Sequence, residues 1–543
     1  MGGLTPFLIE FAKQRFYDFK AGTWKPPHYL AFVLPSDGMD MSRKGAKDAK
    51  EPTVTLVDLG ESDVIDKHIN DYREEMERMG EMYRRGLRLE EERLSEISRE
   101  LYRMIFEPIR EVIDKKVAAS FSLRMDTPPS PLLRGEKKPQ STLFLSPDGS
   151  LNLIPFEVFM TPEGKYLIDE YQINYVSAGR DMMRFKAEME SGEVKHVTTT
   201  PQSPPSQGGE RRRDVMIMAD PDFDLVMDKI GAVKDSDTES ETGWHGKNFG
   251  LTSGKACLSV QDGWHGQTCL SVQDSVAEDK NTKSACMPTV SRDIGGLGLA
   301  RRLPGTREEA EAIERIVKER YNVRSYLDKE AIEEALYNIN DPPEILHLST
   351  HGFFLKELDL GEEIRKRLQE KGITWAQFMT MEDQMKQLDT LTAEIEKDMA
   401  VENPMVRSGI TLAGFNTSIK SIRGGKGRDA GIVTAEKITG VNLRGTQLVS
   451  LSACETAVGE PKVGEGVFGL KRSFILTGAE TLVMSLWKVP DKETKDMMIG
   501  FYDLMMNQDK GKANALRQAR LDMKERKPHP YFWGAFISVG KID

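Results

Sequence analysis

The chain has 543 residues, 39% hydrophobic and 30% charged, an ordinary globular balance that excludes disorder of the whole chain and allows several domains or two large units. Its 75 Lys and Arg against 86 Asp and Glu give a net charge of -11, which argues against broad nucleic-acid binding because that needs clustered positive charge. Four cysteines, Cys257, Cys269, Cys286 and Cys454, are too few for a disulfide framework and fit a reducing, cytoplasmic setting.

Residues 1–15 lack the charged-then-apolar pattern of a secretory signal. Pro6 stands where a myristoylation motif beginning at Gly2 needs Ser or Thr. No apolar run reaches the ~18 residues of a bilayer span, so a soluble protein away from the membrane is expected. Residues 1–27 are expected to be a helical segment, with 5–20 as the tail of a repeat. Short apolar runs predict strands at 28–34, 54–59 and 142–145, and apolar periodicity predicts helices at 62–77 and 89–115. The Pro-, Ser- and Gly-rich stretches 127–138 and 198–213 read as loops or linkers.

Between 235 and 293 the chain is polar and repeats itself, with GWHG at 243–246 and 263–266 and CLSVQD at 257–262 and 269–274. The unequal spacing of the copies excludes a solenoid. His245, His265, Cys257 and Cys269 raise a zinc site, but structural zinc pairs its ligands two to four residues apart in a recurring pattern that this duplicated unit does not supply. No metal is expected, and the stretch reads as an insertion. Beyond it, strands are expected at 214–219, 323–327, 344–349, 447–451, 481–486 and 535–539, with helices at 307–320, 329–337, 466–477, 492–506 and 512–526. Strands alternating with helices predict an α/β fold in two units, 28–190 and 214–543, joined by a linker at 191–213 and carrying insertions at 235–293 and 356–403.

Two strand ends carry the chemistry. EILHLSTHGFF (344–354) stops at His351-Gly352, and QLVSLSACETAVGE (447–460) stops at Cys454. Ligands gather at the carboxyl ends of strands in open α/β sheets, so adjacent ends would bring an imidazole to a thiol. A free thiol has a pKa of about 8.5 and needs such a base to supply thiolate at neutral pH. Gly352, lacking a Cβ, lets its N–H approach a substrate carbonyl, and with the N–H of Cys454 it would form an oxyanion hole. Taken singly, a Cys or a His at these places is equally at home in a core. His347 lies within its strand and reads as a core or supporting residue.

The segments HLSTHGFF, NPMVRSGITLAG, DAGIVTAEKI, LVSLSACETAVGE, GEGVFGLKRSFILTGAETLVMSLWKVPD and HPYFWGAFISVG resemble the CHAT domain, a member of the caspase and separase group of cysteine proteases. YLAFVLPSDG, LVDLGESDVIDKHINDYR, LFLSPDGSLNLIPFEVF and INYVSAGRDMMRF resemble its first half, and LPGTREEAEAI the start of its second. The resemblance implies caspase-like three-layer α/β sandwiches, an inactive first unit (28–190) followed by a catalytic second unit (214–543). It implies a cofactor-free cysteine endopeptidase acting on protein substrates, with His351 and Cys454 as the dyad. It further implies activation by a partner or a regulatory repeat domain in a bacterial defence or cell-death pathway. A non-catalytic caspase-like interaction module, and another thiol acyl-transfer enzyme such as a deamidase, are the competing classes.

Three departures shape the expected specificity. Ser452 occupies the place of the glutamine in the caspase Q-A-C motif, so preference for an acidic P1 side chain is not expected. Glu455 and Asp491 would instead favour a basic P1 residue by charge complementarity, although Asp491 is equally placed to N-cap the helix at 492–506. The interval from 351 to 454 is about twice the ~50 residues usual between a caspase-type His and Cys. An amphipathic helical insertion at 356–403 fills it, in position for a lid or docking arm.

Overall fold

The computed structural model describes residues 6–20, 22–35, 54–123, 141–181, 213–226, 297–355, 364–365, 367–369, 371–378, 404–424, 429–453, 460–462 and 466–542. The insertion at 235–293, with Cys257, Cys269 and Cys286, lies outside them, as do the stretch 127–138 and most of 191–213 and 356–403.

The N-terminal helix expected over 1–27 is instead a strand, β1 (Phe7–Gln14). Phe7, Ile9 and Phe11 enter the main core while Leu8 packs on the opposite face with Phe144 and Val176. That period of two is a strand's, and it outweighs the scattered charges of the stretch. β1 pairs antiparallel with β2 (His28–Pro35), which pairs antiparallel with β3 (Thr55–Glu61). On its other side β1 runs parallel to β4 (Ser141–Ser146), and β4 parallel to β5 (Tyr171–Tyr175). Helix α1 (Ser62–Arg84) follows β3. The single helix expected over 89–115 comprises α2 (Glu92–Leu101), a π-turn at Tyr102–Phe106 and α3 (Glu107–Leu123). Pro108 has no N–H to donate, so a widened turn just before it is where the ladder gives.

The second half supplies β6 (Asp214–Pro221), β7 (Asn322–Asp328), β8 (Ile345–Ser349), β9 (Gly352–Phe354), β10 (Ser408–Thr411), β11 (Ile432–Thr434), β12 (Leu448–Ser452), β13 (Thr481–Ser485) and β14 (Phe536–Gly540). Its helices include α4 (Pro304–Val317), α5 (Phe415–Arg423), α6 (Leu470–Leu476), α7 (Asp491–Met506) and α8 (Lys512–Arg526). The helix expected from 466 starts only at Leu470, because Gly466–Phe468 pairs as a short strand with Glu460–Lys462. The fold is α/β, as expected, built on one 11-stranded mixed sheet in the order β3-β2-β1-β4-β5-β14-β13-β12-β8-β6-β7. Strands β8 and β12 are buried at every position, as strands covered on both faces must be.

The two halves meet edge to edge where β5 lies parallel to β14, with Val539 opposite Tyr175. A buried ion pair locks this junction: Arg520 Nη1 lies 2.6 Å from Glu157 Oε1, both side chains under 5% exposed. The Tyr175 hydroxyl donates to Glu157 at 2.7 Å, and Arg520 Nε donates to the Trp533 carbonyl at 2.9 Å.

Candidate active site

Strands β8 and β12 are neighbours running in the same direction, with Ser349 opposite Ser452. Their carboxyl ends therefore fall side by side, at the place in an open sheet where ligands collect. His351 follows Ser349 by two residues, and Cys454 follows Ser452 by the same two. Cys454 and Glu455 lie outside the described residues. Ala453, the residue before the cysteine, is buried and its carbonyl accepts the Ser485 hydroxyl at 2.7 Å.

Past His351 the chain enters β9, which pairs antiparallel with β10, and β10 with β11. The Thr411 N–H donates to the His351 carbonyl at 2.9 Å, and the Leu355 N–H to the Arg407 carbonyl at 2.8 Å. Hydrogen-bonded positions alternate along an antiparallel pair, so Gly352, opposite Ile410, falls in the other class. Its N–H is left out of that ladder.

The imidazole of His351 is oriented by a backbone group. Its Nε2 lies 2.7 Å from the Arg301 carbonyl, which can only accept, so Nε2 carries the proton and Nδ1 keeps the lone pair. The Phe223 ring packs against it at 5.5 Å between centroids. Burial pushes the His351 pKa below its usual 6.5, opposed by the Arg301 carbonyl and the Asp491 charge. The imidazole is thus held toward its neutral form, with the lone pair on Nδ1.

His351, Ser452 and Ala453 line one pocket, open to solvent, with Leu303, Val489 and Asp491 among its other walls. Asp491 is not the N-cap that the sequence allows. Pro490 holds that place and Asp491 is the first helical residue of α7. Its carboxylate instead crosses to α4 and accepts the Gly305 N–H at 2.8 Å. Burial, followed by the nearby Glu309, raises its pKa above the usual carboxylate value even though the Gly305 bond opposes this. Ser452 is buried and its hydroxyl donates to Glu309 at 3.1 Å, so its polar group is turned to α4.

His347 is fully buried, as its place inside β8 predicts. The Tyr502 hydroxyl lies 3.2 Å from its Nδ1, and its Nε2 sits 3.0 Å from Glu309 without the alignment of a hydrogen bond. Two features of the site had no residue-type signal. One is the Arg301 carbonyl; the other is Gly305, where an added Cβ would fall closer than van der Waals contact to the Asp491 carboxylate. Gly305→Ala is therefore expected to push that carboxylate aside and break its bond to the residue 305 N–H, so the Asp491 pKa should rise further in an NMR carboxylate titration. An unchanged titration would show that the bond survives the added methyl group.

Among the described residues no group of three or more His, Cys, Asp or Glu could hold a metal ion, and no helix is long and apolar enough to cross a membrane. The curated proteins similar to this chain include Tetratricopeptide repeat protein 28 of Homo sapiens, 35% identical over 78 residues (14% of this chain, 3% of that protein). The same-named protein of Mus musculus is 30% identical over 111 residues, 20% of this chain and 4% of that protein. The match thus spans only a small part of either relative. Among solved structures, the Arg specific cysteine proteinase gingipain R is 6% identical with a TM-score of 0.37, over 75% of this chain and 65% of that one. The Saccharomyces cerevisiae separase-securin complex is 10% identical with a TM-score of 0.43, over 99% of this chain and 30% of that one. The family description "CHAT domain" matches residues 95–541. With a match over most of its length, the chain belongs to the CHAT domain family.

Proposed function

We propose that the protein is a cysteine endopeptidase. The observation that carries this is the shared pocket: His351, with Nδ1 unprotonated, lines the same cavity as Ala453, the residue before Cys454. In this reading Cys454 Sγ attacks the scissile carbonyl carbon while Nδ1 of His351 takes the thiol proton. The N–H groups of Gly352 and Cys454 hold the oxyanion, and His351 then passes its proton to the leaving amine. Water, deprotonated by the same imidazole, cleaves the thioester and restores the thiol. The first half serves as an inactive unit, consistent with every lining residue of this pocket coming from 303 onward. Control by a partner or ligand, as in a bacterial defence or cell-death response, belongs to the same proposal and rests on the family resemblance.

Asp491 is the residue we assign to substrate selection, as the acid that receives a basic P1 side chain. Peptides with Arg, Lys, Met or Asp at P1 test this, and a preference for Asp would overturn the charge argument. The raised Asp491 pKa sets a pH dependence: the carboxylate must be ionised to hold a cation, so KM for Arg peptides should climb as pH falls toward a point above the usual ~4. Asp491→Asn should raise KM on the order of 10-fold or more and remove that dependence, since a charged pair left half-made costs more than 1.4 kcal/mol. A chain that binds candidate substrates without cutting any of them, its Cys454 intact and reduced, would favour the interaction-module reading instead.

A further inference from the structure

We propose that Arg302 is a positioning residue, whose clasp on Asp220 and Asp328 holds one short segment, 297–306, that sets both the imidazole of His351 and the carboxylate of Asp491. Its catalytic consequence rests on the peptidase reading above; its structural content does not.

The segment runs across the ends of β6 and β7 before entering α4. Asp220 and Asp328, at the ends of those strands, both adopt left-handed backbone, with φ of 49° and 57°. Such conformations persist in non-glycine residues when the surroundings over-determine them. Here the Asp222 N–H donates to the Asp328 carbonyl at 3.0 Å, tying the two strand ends together. Arg302 then bridges them: Nε and Nη2 donate to the two carboxylate oxygens of Asp220 at 2.9 and 2.8 Å, and Nη2 also reaches Asp328 Oδ1 at 2.8 Å. Arg307 adds a bond to Asp220 at 2.7 Å. Asp220 is only 5% exposed, so these guanidinium donors stand in for the water its carboxylate has lost. The planar fork of a guanidinium suits this two-carboxylate bridge, whereas an ammonium would meet it as a point charge.

On either side of Arg302 the backbone is turned to use. Ala300 exchanges two hydrogen bonds with the Asn416 side chain, at 2.8 and 3.0 Å. The Arg301 carbonyl accepts a hydrogen bond from the His351 Nε2–H at 2.7 Å. Leu303 and Thr306 line the pocket, and the Gly305 N–H holds Asp491 at 2.8 Å. One clasp therefore governs the tautomer of the proposed base and the direction of the proposed specificity acid. A purely structural ion cluster would affect stability without touching either.

The test is the ring nitrogen spectrum of His351 in the full chain carrying Cys454→Ala, labelled with 15N-histidine and assigned by His351→Gln. At neutral pH the parent should show the Nε2–H tautomer alone. Arg302→Met should introduce a substantial Nδ1–H population, with Arg302→Lys in between. A folded Arg302→Met protein with unchanged ring signals would overturn the proposal. If Arg302→Met does not fold, Asp328→Asn decides, because it removes only the exposed arm of the clasp. A partial gain of Nδ1–H supports the proposal and an unchanged spectrum ends it. With Cys454 intact, Arg302→Lys should lower kcat and raise KM together, each on the order of 10-fold given the sensitivity of catalysis to ~1 Å misplacement. Asp491→Asn should move mainly KM. A wild type that cleaves no peptide would remove the peptidase reading and leave the spectroscopic result to judge the clasp.

Discussion

Replacing Cys454 with Ala is expected to abolish peptide cleavage, and His351→Ala to lower kcat by on the order of 10³-fold, within the range usual for loss of a positioned general base. His351→Gln separates the two duties of the imidazole. Glutamine keeps an N–H able to reach the Arg301 carbonyl, which His351 now meets at 2.7 Å, yet it brings no basic nitrogen. Its kcat should fall as far as that of His351→Ala, because proton transfer and not the hydrogen bond is what is lost. Residues of one catalytic unit act together, so Cys454→Ala with His351→Ala should be no worse than Cys454→Ala alone. Single-turnover cleavage followed by mass spectrometry measures all of these. Cleavage that survives Cys454→Ala at the same bond would overturn the mechanism.

Arg520→Met is expected to destabilise the fold by about 3–5 kcal/mol, the cost of stripping one partner from a buried ion pair. Glu157, 3% exposed, would be left with only the Tyr175 hydroxyl donating to it. The carbonyls of Trp533 and Gly534 would also lose the guanidinium donors that now reach them at 2.9 and 3.2 Å. Adding Glu157→Leu should recover part of the loss by removing the orphaned carboxylate, though not all, because those carbonyls still lack their donors and the Tyr175 hydroxyl then loses its acceptor. Glu157 stands in the first half and Arg520 in the second, so the loss should fall on the junction between them. Chemical denaturation of the single and double variants measures this. A loss below about 1 kcal/mol for Arg520→Met would mean that the junction does not depend on the pair.

Much of the α/β pattern could be read from the chain because its central strands are covered on both faces. Runs such as ILHLS and LVSLS stand out against their turn-forming flanks, and their ends point to His351 and Cys454 by the logic of parallel sheets alone. Periodicity misled where the pattern was mixed. In β1 the polar Glu10 and Lys13 concealed the alternation of Phe7, Ile9 and Phe11. In β5, YQINY carries Gln172 and Asn174 inward, where they donate to the Ala513 and Gly540 carbonyls at 3.1 and 2.6 Å. Polar side chains satisfied by a distant part of the chain look exposed until that part is in place. The three- and four-residue strands β9 to β11 are too short to show any period.

Local hydrophobic pattern and side-chain identity were enough to read the class of fold, the family, and the two residue types proposed to do the chemistry. Only the tertiary structure showed that both halves share one sheet, that a backbone carbonyl of Arg301 selects the His351 tautomer, and that Asp491 turns to Gly305 instead of capping its own helix. Each of those is a pairing between segments far apart in the chain, and several run through peptide groups. Every residue carries the same peptide group, so such contacts leave no mark in the order of side chains.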